Sequence, residues 1–379
     1  MVKEYVKYYI YGYLNSYYSD SGFIFDPSKE SYKQYRIRFV LRYLGIKETS
    51  WNLSWLSPFL SISEAFFATI LTFIRSIIVS LRLTFVKRQI PEGRLFFASF
   101  GLDSFRIKGL LASIRPQEVS TMRIPFIKNR YSENQIDIIS VLSLNDVLDS
   151  LIASWKTIWT LYHKYRHRDP LFRSYSSFEY YLTCQFVSKT SSHNRFVFIN
   201  TYDRWAFLMC NTRESTFIQH GKLMDYIKFI RIGTPYYAYY LSKKQGKVLE
   251  KVLFDNTPHE VNLMRPIEFT CNEILLNNGE KNVLIVCSNN FIDKEWEICR
   301  LIKGKCNIYI KPHPADKDNP EYKKMVDNYN CRIVPKTGYP KVDVVISYDS
   351  TLADQYEDVD VKVIRYDLLD RLDEIPELL

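Results

Sequence analysis

Glycine and proline are scarce in this sequence, with 12 and 15 residues among 379. This scarcity excludes a collagen-like fibre, and a hydrophobic fraction of 46% excludes a disordered tail. Cysteine is also sparse: the seven residues are odd in number and form no Cys-x-x-Cys pair, which excludes a disulfide-stapled mini-protein. We therefore expect free thiols in a reducing, cytoplasmic compartment. The chain is long enough for two domains with their own cores.

Long uncharged apolar runs are missing as well. Residues 1–13 lack the apolar core and the small-residue cleavage site of a signal peptide, so we expect no export by that route. The most apolar stretch, residues 53–86, is interrupted by Glu64, Arg75 and Arg82, and the longest uncharged piece in this region has only 15 residues. A spanning helix needs about 20. The stretch predicts either a helix lying in a membrane interface or a buried helix of an N-terminal helical cap.

Positive charge is concentrated in the front of the chain. The formal net charge is +9, and it divides into +14 for residues 1–270 and −5 for residues 271–379. Such asymmetry predicts an anionic partner for the front part, which could be a membrane surface, a phosphorylated substrate or a nucleic acid. We expect no nucleic acid, because the basic residues are dispersed and no RRM, KH, zinc or helix-turn-helix pattern is present.

Short apolar runs alternate with helical patterns from residue 94 onward, which predicts an α/β fold with parallel sheets. In the front part the predicted strands are residues 95–99, 136–142, 195–200 and 216–219, and the predicted helices are residues 107–114, 147–165 and 178–187. The back part repeats the rhythm with strands at 282–288, 307–311, 332–334, 342–347 and 362–366, and helices at 294–302, 320–329 and 352–356.

The back part therefore predicts a Rossmann-like domain. We expect three segments: an N-terminal helical extension that associates with membranes or caps the fold (1–90), an N-terminal Rossmann-like acceptor domain (91–255) and a C-terminal Rossmann-like donor domain (256–379). Ligands bind such sheets at the carboxyl ends of their strands, so the chemistry-bearing motifs should follow strands.

Two motifs in the back part do follow predicted strands. Lys311-Pro312-His313-Pro314 ends the strand at 307–311, and an imidazole fixed between prolines can bind or protonate a phosphate oxygen. Ser350-Thr351 follows the strand at 342–347 and begins a helix, where hydroxyls and free N–H groups can hold an anion or simply cap the helix. The two motifs together predict a phosphate site.

A third motif, Gln219-His220-Gly221, follows a predicted strand of the front part. Gly221 permits a sharp turn that would let His220 project from the strand end. A neutral imidazole there would suit a general base for an attacking hydroxyl, or it could be a buried histidine satisfied by backbone groups.

These three motifs, in this order and at strand ends, resemble the GT-B glycosyltransferases of bacterial surface polysaccharide synthesis (capsule, O-antigen and lipopolysaccharide). The sequence is similar to the CDP-glycerol glycerophosphotransferases and to the bacterial sialyltransferase and Kdo-transferase groups over about residues 92–370. The resemblance implies two Rossmann-like domains that face a cleft. It also implies that His313 contacts the donor phosphate and assists its departure, with Lys311, Pro314, Ser350 and Thr351 in the same phosphate site, and that Gln219, His220 and Gly221 lie on the acceptor side.

The identity of the catalytic base stays open. The resemblance to the glycerophosphotransferases suggests His220 as the base. The sialyltransferase-like groups instead use an acidic residue in a first-domain loop as the base, and the candidates for it are Asp103 and then Asp203. The match is imperfect, because Asp354-Gln355 stands where sugar-transferring relatives often carry a glutamate.

We expect no catalytic metal and no other cofactor. The Asp316-Lys317-Asp318 sequence lies in a polar loop after His313, and His163 and His167 lack further ligands.

The sequence thus predicts a metal-independent glycosyltransferase. Its partners would be a nucleotide-sugar donor and a glycan or polyprenyl-linked acceptor at the inner face of the bacterial cytoplasmic membrane. A CDP-glycerol-type glycerophosphotransferase is the alternative within the same class, and a non-catalytic scaffold that binds nucleic acid or membrane is the alternative from another class.

Overall fold

The computed structural model describes residues 2–23, 57–98, 119–127, 135–165, 175–199, 201–219, 223, 225–263, 267–288, 291–313, 319–335, 337–348 and 350–379. The chain forms two units. The first consists of residues 1–220, 224–239 and 248–261, and the second of residues 221–223, 240–247 and 262–379. The predicted domain limits at residues 90 and 255 stay predictions.

The first unit is built on a sheet whose described strands lie in the order β3-β2-β1-β4-β5-β6-β7. They are β1 (Leu95–Ala98), β2 (Val119–Arg123), β3 (Gln135–Asp137), β4 (Arg195–Phe198), β5 (Thr216–Ile218), β6 (Tyr237–Tyr240) and β7 (Glu260–Leu263). Pairing is parallel from β3 through β6. Phe96, Phe196 and Phe198 are fully buried, which is typical of parallel strands covered on both faces.

Helices cover this sheet. Those described in the first unit are α1 (Val2–Phe23), α2 (Ser57–Leu83), α3 (Leu144–Tyr165), α4 (Ser177–Thr190) and α5 (Arg204–Cys210), and α6 (Lys243–Val252) is shared with the second unit. α2 packs mainly on α3, and α1 on α5. A Cβ at Gly12 of α1 would come within 2.0 Å of the Arg204 nitrogen, so only glycine permits this close approach of the two helices.

One side of α2 is apolar and exposed, and three apolar side chains of α3 are exposed as well. We call these residues the α2–α3 face: Ile62, Phe66, Phe67, Ile70, Phe73, Ile74, Ile77, Ile78 and Leu81 from α2, and Leu144, Leu148 and Ile152 from α3. The 22 residues Ile62–Leu83 have a mean hydropathy of 1.8 and are long and apolar enough to cross a membrane by length and composition alone. The count of uncharged residues in the sequence had predicted a stretch too short to do so.

The second unit is a five-stranded sheet over its described residues, in the order β10-β9-β8-β11-β12 with parallel pairing throughout. Its strands are β8 (Asn282–Val286), β9 (Asn307–Lys311), β10 (Arg332–Ile333), β11 (Val344–Ser347) and β12 (Lys362–Arg365), and its helices are α7 (Ile292–Ile302), α8 (Pro320–Tyr329), α9 (Thr351–Glu357) and α10 (Ile375–Leu378). This order is that of a Rossmann-type sheet, and the prediction of an α/β fold with parallel sheets is confirmed.

Some predictions for the first unit were wrong. The segment 136–142 is not one strand, because β3 ends at Asp137 and a 3-10 helix (Ile138–Val141) follows. The Asp137 carboxylate accepts a hydrogen bond from the Ile139 N–H at 3.1 Å and so starts that helix. β2, β6 and β7 were not predicted. The predicted helix at 107–114 lies outside the described residues.

Candidate functional site

Three adjacent strands of the second unit end beside one another. β8 pairs with β9 on one side and with β11 on the other, both in parallel, so the segments that follow these strands emerge at the same edge of the sheet. From β8 the chain passes to β9 and β10, and then continues to β11 and β12 on the other side of β8. The gap between β8 and β11 is therefore a topological switch point, where open α/β sheets bind their ligands.

The histidine of the Lys311-Pro312-His313-Pro314 motif lies at this edge. His313 follows β9 by two residues and its side chain is exposed, so its imidazole is accessible to a ligand. Pro314 lies outside the described residues. His313 therefore follows the end of a strand, as the sequence predicted. Its role in phosphate binding stays a prediction.

Backbone carbonyls bind the Lys311 ammonium. Its Nζ is buried and donates to the carbonyl oxygens of Pro335 at 2.9 Å and Gly338 at 2.7 Å. It also lies 4.6 Å from the centre of the Tyr339 ring. Burial lowers the pKa of this ammonium. These two bonds link Lys311, the last residue of β9, to the backbone at Pro335 and Gly338, which gives its ammonium a structural role.

Ser350 and Thr351 lie where β11 gives way to α9. Ser350 is the N-cap of α9, and its Oγ accepts from the Leu352 N–H at 3.2 Å. Thr351 is the first residue of the helix, and both side chains are partly exposed. The cap that sequence analysis allowed is therefore present, and both hydroxyls are at the switch point.

Aromatic rings fill the rest of this edge. Phe291, after β8, stacks on Tyr348, after β11, with ring centres 4.1 Å apart and planes 28° apart. Tyr348 in turn lies 5.6 Å from Tyr366, which follows β12. Burial raises the pKa of the Tyr366 hydroxyl, so this group stays protonated. The stack was not predicted from the sequence, although Phe291 and Tyr348 each follow a predicted strand shortly and Tyr366 ends a third.

Two buried carboxylates lie in the helices that follow β8 and β11. Glu295 of α7 is fully buried, and its Oε1 accepts from the Ser288 N–H at 2.5 Å, which fixes the backbone after β8. Asp354 of α9 is buried and paired with Arg365, whose Nη2 also lies 2.9 Å from Glu357 Oε2. Asp354 is thus engaged with Arg365 of β12.

The predicted acceptor-side residues fall mostly outside the described part of the chain. Asp103, His220 and Gly221 lie there, as do Asp316, Lys317, Asp318 and His167. Gln219 is buried, and its N–H donates to the Tyr239 carbonyl at 2.9 Å, which prolongs the pairing of β5 with β6. Asp203 is the N-cap of α5 and accepts from the N–H groups of Trp205 and Ala206.

No protein-family model matches the chain, and no curated protein sequence matches it significantly. Within the described ranges, no group of three or more His, Cys, Asp and Glu side chains is arranged to hold a metal ion. The fold and the edge just described define an α/β protein with parallel sheets, compatible with a Rossmann-like fold.

Proposed function

We propose that this protein is a GT-B glycosyltransferase that transfers a sugar from a nucleotide-activated donor to a growing surface polysaccharide or lipid-linked glycan. One observation carries the proposal. His313, the hydroxyls of Ser350 and Thr351, and the Phe291–Tyr348 ring pair gather at the carboxyl edge of a parallel sheet, next to its switch point. A donor nucleotide needs these three kinds of group: a base platform, phosphate donors and a proton donor.

In this proposal the second unit binds the donor. The nucleobase stacks on the Phe291–Tyr348 pair, and the hydroxyls of Ser350 and Thr351 donate to the phosphate oxygens. The bond from the sugar carbon to the phosphate oxygen breaks, and its electron pair stays on that oxygen. His313 stabilises the new charge by donating a hydrogen bond or a proton. Lys311, two residues before His313, adds positive charge.

The first unit would supply the acceptor side, in a two-domain GT-B arrangement. The acceptor is a hydroxyl of a glycan or a polyprenyl-linked saccharide, and its oxygen attacks the sugar carbon as its proton passes to a base. His220 and Asp103 are the proposed bases, with Gln219 and Gly221 beside His220. We propose that the reaction needs no metal ion, because histidine and hydroxyl groups stabilise the leaving phosphate.

Transfer of glycerol phosphate is the alternative in the same class. There the acceptor oxygen attacks the second phosphorus of CDP-glycerol, the phosphoanhydride bond breaks and CMP leaves. The same groups would hold the same phosphates, and the mass added to the acceptor distinguishes the two reactions.

Thermal unfolding of the full chain against CMP, CDP, UDP, GDP and dTDP, each with and without Mg²⁺, tests the proposal. A ligand that binds only the folded protein raises its stability, by about 2.7 kcal/mol when present at 100 times its Kd. We expect one nucleotide to raise the Tm without Mg²⁺, and His313→Ala to lose the shift. His193→Ala, at an exposed histidine of the first unit, is the matched control and should keep it. An unchanged shift in His313→Ala, or no shift with any nucleotide, would overturn the donor site and favour a non-catalytic scaffold.

A further inference from the structure

The α2–α3 face is too large and too apolar for a surface exposed only to water. Its twelve side chains are between 41% and 69% exposed. Aromatic side chains bury about 150–250 Å² when covered, and isoleucine and leucine bury somewhat less, so twelve side chains about half exposed present on the order of 1,000 Å². The largest apolar patch of a typical monomer is about 300–600 Å². A surface of this size indicates a binding partner.

The opposite side of α2 is fixed to the protein. Ala65, Ala68 and Val79 are buried, and the Trp155 indole N–H of α3 donates to Thr72 Oγ1 at 3.0 Å. Thr72 and Ser76, both buried, donate to backbone carbonyls of their own helix. α2 therefore lies along the first unit with its apolar side outward.

Ion pairs hold α2 at its middle and at its end. Arg75 Nη1 lies 2.6 Å from Glu179 Oε1, and Arg82 Nη2 lies 2.8 Å from Asp137 Oδ2. To cross a bilayer, α2 would have to leave α3, break both pairs and carry two guanidinium groups into hydrocarbon, which is costly. The length of Ile62–Leu83 thus permits a span that the contacts of the helix oppose.

Exposed cations follow the apolar side. Lys87, Arg88 and Arg94 are exposed in the segment that follows α2, and the same segment exposes two further apolar side chains, Phe85 at 87% and Ile90 at 63%. Cations and large apolar groups in one exposed segment are complementary to anionic lipid headgroups above acyl chains.

We propose that the α2–α3 face binds the surface of an anionic membrane, with α2 lying in the plane of the interface. Its phenylalanine and isoleucine side chains enter the boundary between headgroups and acyl chains, to a depth of about 5–10 Å. Arg75 and Arg82 stay on the protein side in their ion pairs, and Lys87, Arg88 and Arg94 contact lipid phosphates.

A groove at the end of α2 suits one such phosphate. Ser80, Thr84, Arg88 and Ser143 line it, together with apolar side chains from α2, α3 and the 3-10 helix between β3 and α3. The Thr84 hydroxyl donates to the Leu81 carbonyl and the Ser143 hydroxyl donates to the Asp146 carboxylate. The Arg88 guanidinium is therefore the group of this groove that would bind a lipid phosphate, and the apolar side chains would contact its first acyl carbons.

Flotation of the full-length chain with lipid vesicles tests the proposal. Vesicles of phosphatidylcholine alone are compared with vesicles that contain 3 parts phosphatidylglycerol to about 7 parts phosphatidylcholine, a negative surface that attracts basic segments. The double variant Phe67→Ser with Ile74→Ser should bind the anionic vesicles at least about tenfold more weakly, since each buried large apolar side chain contributes about 1.5–3 kcal/mol. Both positions are exposed, so folding is preserved.

The matched control changes two exposed apolar residues of the second unit, Leu368→Ser with Ile333→Ser, and should float like the wild type. Equal flotation of the Phe67 and Ile74 variant, or a wild type that stays unbound, would overturn the proposal. A lipid-free dimer that the same variant converts to a monomer would instead assign the face to a second copy of the chain.

Extraction of the membrane fraction with alkaline carbonate tests the in-plane orientation. We expect release into the supernatant, and retention in the pellet would show a spanning helix. None of these measurements depends on nucleotide binding, so this proposal and the proposed transferase function can fail separately.

Discussion

Glu179 of α4 is a carboxyl group enclosed by the first unit. Only 1% of it is exposed, and Oε2 has no hydrogen-bond partner among the described residues, although Arg75 binds Oε1. Burial raises the pKa of this carboxyl from its ordinary 4.5 to about 7, and the positive charges of Arg75 and then Arg204 oppose that rise only in part. Folding therefore favours the protonated form of Glu179.

This shift predicts a pH dependence of stability. Between pH 4.5 and about 7 the folded protein keeps the Glu179 proton that the unfolded chain releases, so stability falls as the pH rises through this window. The loss amounts to about 3 kcal/mol at 1.36 kcal/mol per unit. Glu179→Gln, which cannot ionise, should lack this part of the dependence. Urea unfolding of both proteins at pH 5 and pH 8 measures the difference, and parallel behaviour of the two would refute the raised pKa.

Asp354 of α9 is a buried carboxylate whose contacts predict a structural role. Asp354→Ala leaves the Arg365 guanidinium buried with only the half-exposed Glu357 beside it, which costs about 3 kcal/mol or more. Glu357→Ala removes the exposed partner of the same arginine and should cost less than about 1 kcal/mol. Chemical denaturation gives both values.

The nucleotide response of Asp354→Ala separates the structural role from a ligand contact. We expect the variant to bind the nucleotide below its lowered Tm. Full stability with loss of the nucleotide shift would instead make Asp354 a ligand residue.

At the scale of elements, the start of α9 joins stability to the candidate site. Ser350→Asp keeps a good N-cap, so the Tm should stay within about one degree of the wild type, because Ser and Asp cap about equally well. The new carboxylate would repel the donor phosphate and abolish the nucleotide shift. Ser350→Ala should lose about 1 kcal/mol of stability through the missing cap.

A second helix provides the control for Ser350→Asp. Asn319 caps α8 by accepting from the Glu321 N–H at 3.1 Å, and Asn319→Asp makes the same kind of change in the helix that follows β9 rather than β8 or β11. This variant should keep both its Tm and its nucleotide shift. A normal shift in Ser350→Asp would separate the α9 cap from the phosphate site.

Apolar strands were predictable from sequence, and less apolar strands were not. Every strand of the second unit was predicted to within two residues at each end, and β8, β9 and β11 among them are buried and form continuous apolar runs. β7 is exposed at all four positions, and β2 contains Ser120, Thr121 and Arg123, so neither carries that signal. Their places in the sheet depend on tertiary pairing rather than on local pattern.

The position of the candidate site was predictable from sequence, but its side-chain contacts were not. Parallel strands bring their carboxyl ends to one edge, so the placement of His313 and Ser350 followed from predicted strands alone. The carbonyls that hold Lys311 and the Phe291–Tyr348 stack did not, because both depend on loop residues far apart in sequence. The sequence therefore located the edge. The fold was needed to show that Lys311 is buried and bound to backbone carbonyls, whereas His313 is exposed.

For the molecule as a whole, the uneven charge is compatible with two anionic partners, a nucleic acid or a membrane. The exposed apolar surface helps to decide between them. A nucleic acid would bind dispersed cations by releasing counterions, so its affinity falls steeply with salt. A membrane bound through the α2–α3 face gains most of its free energy from apolar insertion, which salt does not screen. The charge of +14 on residues 1–270 and the exposed apolar side of α2 favour the second case.

Salt therefore discriminates the two partners in one experiment. We expect the full chain to leave a heparin column below about 0.2 M NaCl, because no concentrated phosphate-binding patch is predicted from its dispersed cations. Flotation with anionic vesicles should persist near 1 M NaCl, where the Debye length is only about 3 Å. Heparin retention above that range, with vesicle binding lost in the same salt, would show that charge alone holds the chain to its partner and that the apolar face of α2 is turned toward something other than lipid.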